Sequence, residues 1–213
     1  AVAHGLITSG IAQRLLLITS ETITKFIGEQ DKGNLTLFGD AAAATLLSSD
    51  GVCRPSGFKM GTDGGGGKHI IMKRGGMRQP GFLDDPLAQD AFGNVRDPNY
   101  LHMDGPEVFN FTLGTVPELV GSILAGQGLE LSQIDHFIFH QANAFMLEHL
   151  RRQLKIPSEK FIFSMEKTGN TVASTLPIAL YESWNSGRIQ AGDTVLLAAF
   201  GTGYSWGGCL LNF

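Results

Sequence analysis

The sequence predicts an α/β layered fold. Three observations carry this. From residue 106 onward, segments of helical and strand period alternate as helix, strand, helix, strand, helix, strand, strand, the order expected of sheets covered by helices. The strand candidates are short apolar runs bounded by turn formers. Hydrophobic residues make up 43% of the 213 residues and charged residues 17%, enough to bury a sizeable core.

The elements follow in order. "AVAHGLITSG" predicts a helix stopping at Gly10, with Ala1, Val2, Leu6 and Ile7 near one face. It reads as the later turns of a helix, so an earlier part of the chain is expected to lie elsewhere. "RLLLITSE" predicts a buried strand, and "TITKFIGEQDKG" a helical or irregular connection. "NLTLFGDAAAATLLSSD" predicts strand, turn at Gly39 and Asp40, then strand. Its four alanines favour helix by propensity, but small side chains also suit a tightly packed strand. Residues 51–105 are the least regular: "GTDGGGGKH" is a loop, "KHIIMKR" a strand candidate, and 68–104 mostly a long surface excursion.

Regular pattern returns with "GPEVFNFTLGTVPELVGSILAGQGL". Pro106 opens this helix, Glu107 sits in its first turn, and Val108, Phe111, Leu119, Ile123 and Leu124 form its apolar stripe. Pro117 is expected to kink or divide it. "HFIFH" is a strand, "ANAFMLEHLRRQL" a helix ended by Pro157, and "FIFSM" a strand. "NTVASTLPIALYESWNSG" is a helix ended by Gly187. "DTVLLAAFGTGYSWGGCLLNF" is two strands joined by a glycine turn.

A net charge of −4 gives no support for a nucleic-acid partner. No run of 18 apolar residues and no secretory signal occur, so no membrane span is expected. Cys53 and Cys209 make no disulfide framework, and a cytoplasmic, reducing compartment is expected.

Polar residues at strand ends are the candidate chemistry. His140 ends one strand candidate and Asn170 follows the next, and open α/β sheets place ligands beyond the carboxyl ends of their strands. Equally, His140 could cap its helix and Asn170 serve as an N-cap. A metal is not expected: in a strand His136 and His140 lie roughly 13 Å apart at ~3.3 Å per residue. "GTDGGGGKH" departs from a phosphate loop, with Thr62 at the first glycine position and His69 after Lys68. No G-x-S-x-G is present. Cys53 lies in a polar turn and Cys209 in an apolar strand, neither resembling an activated thiol. Gly201, Gly203, Gly207 and Gly208 either aim backbone N–H groups at an oxyanion or form an ordinary glycine-rich turn.

"FHQAN", "GNTVAST-P" and "AFGTGYSWG", in this order, together with "FGDAAAATLL", resemble β-ketoacyl-acyl-carrier-protein synthase III. The resemblance covers essentially the whole chain, least around 68–104. It implies the thiolase fold, with residues 1–58 ending a first half and 59–213 forming the second, assembled as a homodimer. It implies a Cys-His-Asn triad in which His140 and Asn170 match the family's histidine and asparagine. The family cysteine, in a Cys-(Ser/Ala)-Gly-Phe element, falls about eight residues before Ala1 by register. The implied reaction is decarboxylative condensation of an acyl-CoA with malonyl-acyl-carrier-protein, without metal or cofactor. His140 and Asn170 would donate to the malonyl thioester oxygen, a backbone N–H near Thr202 would serve the acyl oxyanion, and Phe200 would sit beside the nucleophile. Lys32 stands where the family often has an adenine-binding Arg, and Phe145 where it often has a carrier-docking Arg. Lys32, Asn143, Arg151 and Arg152 are the expected substrate- or carrier-binding residues. The related hydroxymethylglutaryl-CoA synthase and plant-type polyketide synthase branches fit "HQAN" and "GNT" less well. A non-catalytic thiolase-fold subunit supporting a catalytic partner is the rival expectation.

Overall fold

The computed structural model describes residues 1–90 and 93–213; Ala91 and Phe92, inside the expected excursion, lie outside them. In chain order the helices are α1 (Val2–Thr8), α2 (Lys32–Leu35), α3 (Gly105–Gln127), α4 (Ala144–Gln153) and α5 (Thr175–Asn185). The strands are β1 (Arg14–Glu21), β2 (Ala41–Ser48), β3 (Arg54–Thr62), β4 (Ile70–Met72), β5 (Ala88–Gln89), β6 (Val95–Arg96), β7 (Leu101–Met103), β8 (His136–Phe139), β9 (Thr194–Gly201) and β10 (Ser205–Asn212).

The central sheet has the order β3-β10-β9-β8, with only β8 and β9 parallel. Strand alternation divides its side chains between two faces. Phe137 and Phe139 of β8, with Leu196 and Ala198 of β9, join the core under α3 and α4. Ile138 and Val195 point the other way and meet Ala179 of α5 together with Ile162 and Ile189. The result is a sheet between helical layers. Helix α3 approaches closely because Gly208 carries no side chain: a Cβ there would stand 2.5 Å from the Leu197 carbonyl oxygen and 2.8 Å from Ile123 Cδ1.

Helix α3 begins as its sequence predicts, with Asp104 accepting from the Glu107 amide at 3.2 Å, and it ends at Gly128 in the left-handed region. Pro117 does not divide it. A proline deprives the carbonyl four residues earlier of its donor, and here the Gln153 side chain of α4 donates to that carbonyl, Leu113 O, at 2.9 Å. By length and composition α3 is long and apolar enough to cross a membrane. Its buried residues, Val116, Leu119, Val120 and Ile123 among them, join the core beneath the sheet.

Four other expectations are corrected. The strand expected over 34–38 is absent; Asn34 and Leu35 belong to α2, and Phe38 makes one isolated bridge to Asn170. "FIFSM" is not a strand either: Phe161 bridges Phe137, the Ile162 amide donates to Phe137 O, and the chain then leaves the sheet. The irregularity expected after residue 51 hides β3, an edge strand, where Pro55 is tolerated. Finally β1 forms, but it is not buried. Among the described residues it pairs only with β2, and Leu16, Leu17 and Ile18 are exposed by 57%, 47% and 62%.

Within 68–104, two short strand pairs, β4 with β7 and β5 with β6, give partial order. A polar clamp ties the excursion to α2. Arg96 pairs with the buried Asp31 and, at 3.2 Å, with Asp90, while the Gly33 amide donates to Asn94 Oδ1 at 3.1 Å.

Candidate active site

His140 lies one residue beyond β8, and its amide still donates to Ala198 O at 2.8 Å, so the ladder holds its backbone. The next residue, Gln141, is fully buried. Its Nε2 donates to Phe139 O at 2.6 Å and to Ile162 O at 3.3 Å, and its Oε1 accepts from the Ser164 amide at 2.8 Å. Gln141 therefore fastens the segment leading to Asn170 onto the strand end that carries His140. Asn143 is the N-cap of α4, accepting from the Met146 amide at 2.8 Å. The helix cap is Asn143 and not His140.

Asn170 is held by a second close approach. Its amide donates to Leu37 O at 2.9 Å and its carbonyl accepts from the Gly39 amide at 3.0 Å. There is no room for a side chain at Gly39, where a Cβ would stand 2.0 Å from Thr168 O. Gly169, with φ +64, would place a Cβ 2.8 Å from Leu37 O. Gly39→Ala is therefore expected to destabilise the fold by about 1–3 kcal/mol, seen as a lower urea midpoint with an unchanged denaturant slope.

His140 and Asn170 line one cavity of about 740 Å³, together with Thr175, Phe200, Thr202 and Asn143. The Asn170 side-chain oxygen accepts from the Val172 amide at 2.9 Å, leaving Nδ2 with no protein partner among the described residues. His140 Nδ1 lies 2.8 Å from Thr175 Oγ1, and its ring meets Phe200 edge-on, with centroids 5.4 Å apart. Burial pushes the His140 pKa down to about 4, partly opposed by the Val172 carbonyl, so the ring is neutral near pH 7. Val172, at φ 52, is a β-branched residue in the left-handed region, a rare conformation that clusters at functional sites.

The other sequence-predicted residues lie elsewhere. Lys32 is exposed at the start of α2, and neither it nor Arg151 or Arg152 lines the cavity. Arg151 donates to both Glu148 oxygens, at 2.8 and 2.7 Å, and to Ile156 O at 2.8 Å. Arg152 donates to Glu148 Oε1 at 2.6 Å. The two guanidiniums hold the Glu148 carboxyl down at about 2. Burial pushes both Cys53 and Cys209 up to about 11, which suppresses their thiolates, and neither lines this cavity. Gln141, Val172 and Thr175 are the site residues that sequence reasoning missed. A polar residue following an apolar strand was the signal available for Gln141.

The family model for the C-terminal part of 3-oxoacyl-[acyl-carrier-protein] synthase III matches residues 124–213, and the companion model for 3-oxoacyl-[acyl-carrier-protein] synthase III matches 1–64. A β-ketoacyl-[acyl-carrier-protein] synthase III of Clostridium perfringens is 34% identical over 99% of this chain and 63% of its own length. One from Bartonella tribocorum is 33% identical over 96% of this chain and 60% of its own. The chain thus spans about three fifths of these relatives. Among solved structures, a 3-oxoacyl-(acyl-carrier-protein) synthase III superposes with a TM-score of 0.95 at 43% identity, covering 100% of this chain and 64% of that one. The Thermus thermophilus synthase III gives 0.80 at 30% identity, covering 100% and 63%. The fold is the thiolase-like one of these enzymes, and the chain belongs to the 3-oxoacyl-[acyl-carrier-protein] synthase III family.

Proposed function

We propose that this chain supplies the condensing half of an acyltransferase site. The reaction is decarboxylative Claisen condensation of an acyl group from acyl-CoA with malonyl-acyl-carrier-protein, giving 3-oxoacyl-acyl-carrier-protein. One observation carries the reading: with its oxygen engaged by Val172, Asn170 has only its Nδ2 hydrogens free, in a cavity that it shares with His140. Such a donor suits a thioester oxygen on which charge develops as carbon dioxide leaves. His140 stands beside that oxygen, a backbone N–H near Thr202 serves the acyl oxyanion, and Phe200 shields the reacting carbons from water. Asn143 lines the cavity while capping α4.

Neither Cys53 nor Cys209 lines the cavity, and in this reading the acylated thiol is that of the family's Cys-(Ser/Ala)-Gly-Phe element. Acyl-CoA and acyl carrier protein are the partners, with Lys32, Arg151 and Arg152 as contact residues outside the cavity. The charge of Arg151 and Arg152 is partly neutralised by Glu148. No metal or cofactor takes part, and the working form is a homodimer in the cytoplasm. The division into two halves near residue 58 belongs to the same proposal: the β1–β2 hairpin and the central sheet are separate sheets, and β3 crosses that position.

Incubating the purified chain with acyl-CoA and malonyl-acyl-carrier-protein should give no 3-oxoacyl product. Product should appear when a separately made polypeptide carrying the Cys-(Ser/Ala)-Gly-Phe element is added. Product from the chain alone would overturn the reading. Stable association of the two without product would favour the non-catalytic subunit.

A further inference from the structure

We propose that Thr175 is a positioning residue that fixes the tautomer of His140: the neutral imidazole carries its proton on Nδ1 and offers the cavity a bare Nε2. The inference rests on the condensing-site reading above and assigns the donors and acceptors of that same site.

Proton counting leads to it. The Thr175 hydroxyl has one proton and two short contacts, Val172 O at 2.9 Å and His140 Nδ1 at 2.8 Å. A carbonyl oxygen can only accept, so the hydroxyl proton goes to Val172. Thr175 Oγ1 is then an acceptor toward the ring, and Nδ1 must carry the hydrogen if both bonds are made. The opposite tautomer would take the Thr175 proton away from Val172 O. His140 Nε2 has no protein partner among the described residues and meets whatever fills the cavity.

The parts that set the tautomer are firmly held. Thr175 is buried at the first position of α5. Both backbone polar groups of Val172 are engaged: its amide donates to Asn170 Oδ1 and its carbonyl accepts from Thr175 Oγ1. One left-handed residue thus orients both polar groups, Asn170 through its N–H and His140 through its C=O.

In the resting state the pair therefore presents one donor, Asn170 Nδ2, and one acceptor, His140 Nε2. A thioester oxygen accepts only, so Asn170 meets it first. His140 becomes a second donor after Nε2 gains a proton, and the nucleophilic thiol of the proposed reaction can supply it. The S–H bond breaks, its electron pair stays on sulfur as thiolate, and an Nε2–H bond forms; the thiolate then displaces coenzyme A from the acyl carbon, and coenzyme A leaves as a thiolate that takes its proton from solvent, so the Nε2 proton is retained. The resulting imidazolium keeps Nδ1–H on Thr175 and turns Nε2–H toward the thioester oxygen.

The test is ¹⁵N labelling of the histidines of this chain, with ring nitrogens read by long-range ¹H–¹⁵N correlation at neutral pH. His140 is assigned among the six histidines by its loss in His140→Gln. Nδ1 should show the shift of a protonated nitrogen and Nε2 that of a bare one. Thr175→Val should move the two shifts toward each other as the tautomers mix, and Thr175→Ser should restore the original pattern. A wild-type ring protonated on Nε2 would overturn the proposal, as would a Thr175→Val spectrum identical to wild type. If Thr175→Val fails to fold, the wild-type spectrum still decides. No substrate is needed, so a wrong tautomer leaves the condensation reading standing, and failure of the mixing assay leaves the tautomer standing.

Discussion

Replacing Asn170 by Asp is expected to slow carbon–carbon bond formation by about 10²–10³-fold, the usual cost of losing one oxyanion donor. The change is nearly isosteric. A carboxylate oxygen can still accept from the Val172 amide, as Asn170 Oδ1 does at 2.9 Å, so the turn should survive. What changes is the atom facing the cavity: an N–H donor becomes a negatively charged acceptor beside an oxygen that is itself gaining negative charge. Acylation of the thiol does not use that donor and should proceed at the wild-type rate. Radiolabelled acyl-CoA, in the enzyme assembled with its nucleophile, separates the steps: label should reach the protein while 3-oxoacyl product falls. Equal loss of both steps would show that Asn170 holds the architecture and not the enolate.

Gln141→Leu is expected to be the most damaging single change to stability near the site. The buried amide satisfies Phe139 O, Ile162 O and the Ser164 amide at once. Leucine is similar in size but serves none of them. Each buried group left without a partner costs about 1–3 kcal/mol, so a loss of roughly 3 kcal/mol or more should appear in urea unfolding. Because Gln141 ties the strand end bearing His140 to the segment leading to Asn170, the two residues should also lose their relative position. A variant as stable as wild type would show that water replaces the amide.

Much of the central layer could be read from period and punctuation. The strands β8, β9 and β10 are apolar runs between turn formers, and α3, α4 and α5 carry capping residues or glycine stops where the chain needs them. The sequence misled where a tertiary contact decides. "FIFSM" has strand composition, yet the Gln141 amide takes Ile162 O and the Ser164 amide, groups that a neighbouring strand would otherwise pair. Pro117 reads as a break because the Gln153 donor that answers it lies on another helix. Strand β3 was obscured by Pro55, Gly57 and Gly61. Gly61 is required because a Cβ there would stand 2.4 Å from the Trp206 ring. At the site, His140 and Asn170 were legible as polar residues after apolar runs. Thr175 was not, since its role arises from a contact across 35 positions, from His140, and from the backbone conformation of Val172.

The exposed β1–β2 hairpin dictates how any of these measurements can be made. Leu16, Ile18 and Leu46 stand on a two-stranded ribbon, exposed by 57%, 62% and 63%, and among the described residues no third strand pairs with it. Unpaired apolar strand edges recruit other copies of the same chain. Light scattering from this protein should therefore rise with concentration, and sulfate or phosphate buffers, which strengthen apolar association, should hasten it. Dilute samples in buffers free of those anions are the appropriate ones for the unfolding and resonance experiments, and a loss of signal in concentrated sulfate would report clustering of hairpins before it reported anything about His140 and Asn170.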